Sequence, residues 1–228
     1  MEYLYETHMH TSEVSGCAVS TAAEQVCAYK KMGYTGIIVT DHFLNGNSTC
    51  PFRLPWEEKM GRIVAGYSKA KEEGDKVGLD VYLGWEFTIK GSDLLTYGLD
   101  IGFLLSNPNL DKLNIEDYSR LIRENGGYLA QAHPYRDSWY IEHKFPVDHH
   151  LIDGIEAYNA MDTDKANRLA LEFAEFHNLP MQAGSDSHNA GIKRYSGIKL
   201  RKKANDIFDI IKAIKANEVE LLTSGAHG

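Results

Sequence analysis

The chain has no run of about 18 apolar residues, so no segment is expected to span a membrane. It is poor in cysteine: Cys17, Cys27 and Cys50 are three, an odd number with no C-x-x-C spacing. That argues against a disulfide framework and against a cysteine-based zinc site. Positive charge is not in excess either; the formal net charge of −8 and a pI near 5.7 speak against non-specific binding to nucleic-acid backbones. Repeats, low-complexity tracts and long linkers are missing, so one domain over residues 1–228 is expected. The opening MEYLYETHMH carries acid where a secretory signal carries a basic n-region, and a cytoplasmic location is the expectation.

What the chain does have is ten histidines, against 43% apolar and 25% charged residues. Short apolar segments bounded by turn residues alternate with amphipathic stretches, as βα units do. Strands are expected at Glu2 to Thr7, Gly36 to Thr40, Val81 to Trp85, Tyr97 to Leu105, Tyr128 to Ala132, Gly154 to Tyr158 and Pro180 to Ala183. Helices are expected at Thr21 to Met32, Trp56 to Glu73, Ile115 to Glu124, Asp164 to His177 and Asp206 to Asn217. Thr21 with Glu24 is a capping-box pattern, and Gly33 follows as a stop. About seven strands alternating with helices favour a closed or nearly closed α/β barrel over an open sheet, although periodicity alone does not choose.

Metal-capable residues follow the expected strands. His8 and His10 follow the first, Asp41 and His42 the second, Glu86 the third, His133 the strand YLAQA, and Asp186 and His188 the strand PMQAG. Barrels of this class build their sites at the carboxyl ends of strands, so residues far apart in sequence can converge there. Residues i and i+2 of an extended segment point to one side, which makes His8 with His10, and Asp186 with His188, local two-point grips. Imidazole with carboxylate suits zinc, manganese or iron, and a carboxylate such as Glu86 can bridge two ions. A single histidine at a strand end is ordinarily a hydrogen-bonded or surface residue; five segments in phase are what raise the metal reading.

In this order and spacing, HMH at 8–10, TDH at 40–42, WE at 85–86, AHP at 132–134 and SDSH at 185–188 resemble the PHP (polymerase and histidinol phosphatase) domain family. The resemblance implies a distorted seven-stranded (β/α) barrel of PHP type that holds two or three divalent ions (Zn, Mn or Fe) and cleaves phosphoesters through a metal-activated hydroxide. It implies that His8, His10, Glu86 and Asp186 ligate one ion, Glu86 and His133 a second, and His42 and His188 a third. The family often has an Asp or His in the turn after H-x-H, where this chain reads TSEVSGC; Glu13 is the carboxylate available there. Many members also place a histidine in the stretch that here reads TYGLDIGFLL, and Asp100 is the nearest substitute.

Phosphate asks for a planar, permanently charged donor. Arg136, three residues after His133, is the first candidate for that role, and Arg194, six after His188, the second. The leaving oxygen's proton is assigned to metal-bound water, Asp186 or a nearby histidine, with His188 among the catalytic candidates. The expected activity is therefore hydrolysis of a small phosphorylated substrate. The alternatives are an amidohydrolase-like amide or lactone hydrolase, which often has a bridging lysine that no expected strand end supplies here, and a non-catalytic metal-stabilised interaction module. His143, His149 and His150 read as loop residues, His177 as a helix-terminal cation and His227 as part of the tail. Tyr135, Trp139 and Tyr140 read as packing residues that also wall the pocket, and Cys17 as a plain free thiol.

Overall fold

The computed structural model describes residues 2–139, 141 and 145–223. Its strands are β1 (Tyr3–Met9), β2 (Gly36–Val39), β3 (Asp80–Ile89), β4 (Ser92–Tyr97), β5 (Tyr128–Gln131), β6 (Gly154–Asn159), β7 (Met181–Gly184), β8 (Gly197–Leu200) and β9 (Glu220–Leu222). The helices are α1 (Ala22–Lys31), α2 (Trp56–Ile63), α3 (Ala65–Val77), α4 (Ile101–Ser106), α5 (Ile115–Glu124), α6 (Asp164–His177) and α7 (Ile207–Lys215). The strands form one nine-stranded sheet in the order β7-β6-β5-β4-β3-β2-β1-β8-β9.

The sheet curls until β7 meets β1. Past the end of β7, Asp186 donates its N–H to the His8 carbonyl at 2.7 Å, and His10 donates to the Ser187 carbonyl at 2.8 Å. The lower half of β1 meanwhile pairs antiparallel with β8, in the register Tyr3 with Leu200 and Tyr5 with Ile198. The result is a nearly closed barrel-like sheet with nine strands rather than seven. The two short strands β8 and β9 extend the sheet beyond β1.

The stretch expected as a strand from Tyr97 to Leu105 is divided otherwise. β4 ends at Tyr97, Gly98 follows in the left-handed region at φ 81°, and Asp100 then caps α4 by accepting the Phe103 N–H. β4 itself returns antiparallel from β3 through Lys90 and Gly91, both at positive φ. The expected helix over Trp56 to Glu73 is two helices, α2 and α3, which meet at Val64. Thr21 does form a capping box with Glu24 at the head of α1, and α6 spans its expected residues.

Parallel strands buried on both faces carry the core, as their near-continuous apolar runs require. One cluster gathers Phe43, Trp85, Phe87, Leu129 and Ile155 with α5 residues Tyr118 and Ile122. Another joins Tyr5, Ile38, Tyr97 and Tyr128 to Ile210, Ile211 and Ile214 of α7, at the strand ends away from the histidines. Among the described residues no helix is long and apolar enough to cross a membrane.

Candidate metal centre

His8 lies near the end of β1 and His10 just past it, both fully buried and on the same side, as their i, i+2 spacing requires. His8 Nδ1 stands 3.0 Å from Glu156 Oε1, and a carboxylate only accepts, so Nδ1 carries the proton. His10 Nδ1 stands 3.1 Å from Ser15 Oγ, whose own proton goes to Asp41 Oδ1 at 2.7 Å; here too Nδ1 is the donor. Each neutral ring is left with a lone pair on Nε2, and those two atoms face one another at 3.1 Å. Around them lie Glu86 and Asp186, with His–carboxylate separations of 3.2 to 3.6 Å. Burial opposes charge on His8, but Asp186, Glu156 and Glu86 outweigh it and raise its pKa well above the ordinary value. Burial, with His188 and His42 nearby, holds His10 well below. A proton on His8 Nε2, donated to His10 Nε2, satisfies the pair, and a shared cation would do the same.

Glu86 lies inside β3 and reaches a second group. His133 Nε2 is 3.2 Å from Glu86 Oε1 and 3.7 Å from Asp93 Oδ2. Thr88 donates to the other Asp93 oxygen at 2.6 Å and so aims Oδ2 at the ring. Burial and the neighbouring Glu86 push the Asp93 carboxyl up to about 6. His133 and Asp186 both have positive φ, 28° and 52°. For residues with a Cβ such angles cost on the order of 1–3 kcal/mol, and they are retained where surrounding bonds over-determine them. Glu156 is one such bond: its Oε2 accepts the backbone N–H of His133 at 2.9 Å.

His42 and His188 form the outer side with His10, their rings 4.5 and 4.2 Å from it by centroid. His42 Nδ1 and Glu86 Oε2 lie only 2.7 Å apart, yet neither makes a hydrogen bond of acceptable geometry. His188 Nδ1 lies 2.9 Å from the Asp186 carbonyl, an acceptor, so its Nε2 holds the lone pair when the ring is neutral. Cys17, in the turn after β1, places Sγ 3.2 Å from His42 Nε2. Burial raises the thiol, but the bonds to His188 and His42 prevail and bring it down to about 6.

Arg136 packs against the same cluster. Nη1 bonds Asp186 Oδ2 at 2.5 Å, Nε bonds Asp162 Oδ1 at 2.7 Å, and Nη2 bonds Asn159 Oδ1 at 3.0 Å. Burial disfavours the guanidinium charge, but Asp186 and Asp162 override it and keep Arg136 ionised. Asp186 itself is held well below the usual carboxylate range, against the effect of burial, by His8 and Arg136.

The structure thus brings together His8, His10, His42, Glu86, His133, Asp186, His188 and Arg136. It does not bring Glu13: that carboxylate accepts the Ala22 N–H at 2.9 Å, at the start of α1, and lies 3.5 Å from Lys69. Asp100 is likewise taken up in capping α4. Arg194 lies outside the cluster, half-exposed, with Nη2 3.2 Å from the Tyr158 hydroxyl and 3.5 Å from Asp164. His149 packs its ring against those of His150 and His177 elsewhere. Tyr135 touches Phe173 of α6, while Trp139 is 95% exposed, so the latter does not pack in the core. Tyr140, His143 and His227 lie outside the described residues.

Sequence reasoning missed Asp93, Glu156, Asp162 and the position of Cys17. A signal existed for Glu156, a charged residue within the otherwise apolar strand GIEAYN, where burial demands a partner. Asp41, which follows β2, is no member of the cluster: it accepts Thr11 N at 2.6 Å and Thr11 Oγ1 at 2.7 Å and ties the turn after β1 in place.

These residues fit divalent ions. Within the cluster four groups have ligand atoms within 4.8 Å of one another: His8–His10–Glu86, His8–His133–Asp186, Glu86–Asp93–His133, and His10–His42–His188. The facing Nε2 atoms and the buried Glu86 Oε2, which has ion-pair neighbours in His42 and His10 but no hydrogen bond of good geometry, lie around shared space that a cation would satisfy. A separate cavity of about 730 Å³, lined by Tyr82, Asp100, Phe103 and Phe208 among others, includes none of these ligand candidates.

Comparison with known proteins places this geometry in context. The family described as PHP-associated matches residues 164–191, a stretch that holds α6, β7, Asp186 and His188. No curated protein matches the chain in sequence. A two-domain protein from Bacteroides vulgatus containing a predicted PHP-like metal-dependent phosphoesterase is similar in structure, with a TM-score of 0.73 and 16% identity. That likeness covers 98% of this chain and 65% of that one, so this chain spans under two thirds of that protein. A lesion-specific endonuclease from Pyrococcus furiosus gives a TM-score of 0.62 at 15% identity, over 97% of this chain and 58% of that one. An amidohydrolase from Chromobacterium violaceum, solved with bound sulfate and no metal, gives 0.59 at 14% identity, over 97% and 98%. The resemblance carried by HMH, TDH, WE, AHP and SDSH is therefore matched by a shared fold and a shared segment: the chain is a protein of PHP-like fold.

Proposed function

We propose that this chain is a divalent-metal-dependent phosphoesterase acting on a small phosphorylated substrate. The observation that carries the reading is the facing pair His8 and His10, whose Nε2 atoms stand 3.1 Å apart in a buried site shared with Glu86 and Asp186. In this reading His8, His10, Glu86 and Asp186 hold one ion, Glu86, Asp93 and His133 a second, and His42 and His188 a third. Zinc, manganese or iron suits such a mixture of imidazole and carboxylate. Ions held there supply Lewis acidity, which activates water and neutralises charge on phosphoryl oxygens.

The chain's own residues do the rest. Glu156 and Ser15 fix the tautomers of His8 and His10, so that no ring has to turn before it can act. Arg136, anchored by Asp162 and Asn159, places a permanent positive charge beside Asp186, where the remaining charge of a phosphoryl group is balanced. Arg194, outside the cluster and beside Asp164, is the second cation proposed for the substrate.

Amide or lactone hydrolysis is the competing reading, favoured by the fold shared with an amidohydrolase. Against it, the carboxylate shared between two of the ligand groups is Glu86, and no expected strand end carries the bridging lysine that such hydrolases often have. The deciding experiment is phosphate release from a panel of phosphomonoesters and phosphodiesters by protein loaded with Mn²⁺ or Zn²⁺, with His8→Ala as background. Metal-dependent release absent from the variant supports the phosphoesterase; turnover of amides or lactones alone overturns it.

A further inference from the structure

We propose that Cys17 is a metal ligand, and that its thiolate, with His42 and His188, makes the outermost position of the centre a sulfur-containing one. The inference rests on the metal-centre reading above and adds to it a ligand that neither the spacing of cysteines nor the strand-end pattern indicates.

Three observations converge. First, Cys17 Sγ is 3.2 Å from His42 Nε2, and His42 has its ligand atom within 4.8 Å of those of His188 and His10, so the sulfur stands beside a set of imidazoles. Nitrogen and sulfur ligands on one tetrahedral zinc ion stand about 3.5 Å apart, close to the separation already present. Second, the turn that carries Cys17 is pinned on both sides. Gly16 donates to the Asn47 carbonyl at 2.7 Å, and Val19 donates to the carbonyl of His188 itself at 2.9 Å. A Cβ on Gly16 would come within 2.9 Å of Asn47 Oδ1, so this close approach needs glycine next to the cysteine. Third, Glu86 Oε2, buried and without a hydrogen-bond partner, lies 2.7 Å from His42 Nδ1. The far side of the same imidazole thus faces a carboxylate that orients the ring and raises its basicity, as carboxylates behind metal-ligating histidines do.

Glu13, the carboxylate of that turn, is engaged at the start of α1, whereas Cys17 of the same turn reaches the His42 side chain. Ligation replaces the S–H bond by a sulfur–metal bond and releases one proton to solvent. A thiolate is a soft ligand, so this position selects zinc over manganese or magnesium. Cys27 and Cys50 lie elsewhere: Cys27 Sγ faces Glu73, and Cys50 Sγ faces the Lys59 carbonyl.

The test is cobalt substitution followed by electronic absorption. Protein cleared of metal and reloaded with Co²⁺ is expected to show thiolate-to-cobalt charge transfer in the near ultraviolet. That absorption is expected to vanish in Cys17→Ser and to persist in Cys27→Ser and Cys50→Ser, with circular dichroism confirming that every variant is folded. Cobalt bound without the charge-transfer absorption, or absorption that survives Cys17→Ser, overturns the assignment while leaving the centre standing. Failure to bind any cobalt overturns the metal-centre reading itself.

Discussion

Glu156 receives the Nδ1 proton of His8 at 3.0 Å and the backbone N–H of His133 at 2.9 Å, so one buried carboxylate sets the orientation of two candidate ligands that are far apart in sequence. Gly184 makes room for it, since a Cβ there would come within 2.5 Å of both Glu156 Oε1 and His8 Cβ. Residues that orient ligands in this way typically account for about 10–100-fold in metal affinity. Glu156→Gln is expected to weaken zinc binding by about that factor, read by competition with a chromogenic chelator. Unchanged affinity in a folded variant would remove Glu156 from the centre.

Asp93 makes a prediction about pH. Its folded pKa of about 6 lies above the ordinary 3.8, so the folded, metal-free chain holds a proton that the unfolded chain has already lost. Stability from this group is intact below 3.8 and declines as pH rises towards 6. Its full loss amounts to about 1–3 kcal/mol. Asp93→Asn has no such proton to lose, so in the presence of chelator the variant should gain on the parent across that window, read from urea midpoints at successive pH values. With metal supplied, the order is expected to reverse, because the variant no longer offers a carboxylate beside His133. A constant difference across pH would count against the assignment.

Arg136 makes a prediction that separates stability from binding. Its removal leaves Asp162 and Asp186 without their cation, and breaking a buried pair costs about 3–5 kcal/mol. Arg136→Ala is therefore expected to melt well below the parent in chelator. Loaded with metal, it should keep its ions and lose kcat/KM towards phosphorylated substrates. Full retention of both the melting temperature and kcat/KM would show the guanidinium to be incidental.

A test of the turn that carries Ser15 and Cys17 comes from a glycine on another element. Gly66 lies in α3, where helix propensity alone favours Gly66→Ala by about 1 kcal/mol. An added Cβ would, however, collide with Asp41 Oδ2 and Thr11 Oγ1, the pair that secures the turn. Overpacking of this kind costs about 1–3 kcal/mol, so the substitution is expected to destabilise. Thermal unfolding decides it by sign, since a stabilised variant would mean that the Asp41–Thr11 contact yields freely.

Much of the barrel was legible from sequence because its signals are local. The apolar run GIIV, the Thr21–Glu24 box and the amphipathic stretch from Asp164 to His177 each state their structure within a few residues. The centre was legible where parallel strands deliver ligands at their carboxyl ends, as β1 does with His8 and His10. Asp93 escaped because β4 runs antiparallel to β3, which puts its amino end, not its carboxyl end, beside the ligands. Cys17 escaped because what brings it to His42 is a turn held by Asn47 and His188, and nothing in its own neighbourhood records those contacts. Glu13 misled for the converse reason: a carboxylate just ahead of a helix has a nearer use than a metal ion.

The meeting of β7 with β1 has a consequence for how the molecule opens. The amides that join the two strands at this edge belong to Asp186 and His10, and both residues are candidate ligands. Parting the two strands there therefore means pulling ligands away from any ion they share, so cation occupancy is added directly to the free energy of that local opening. Hydrogen exchange at these amides becomes a gauge of how full the centre is: brisk once the ions are stripped, and slowed in proportion as they return.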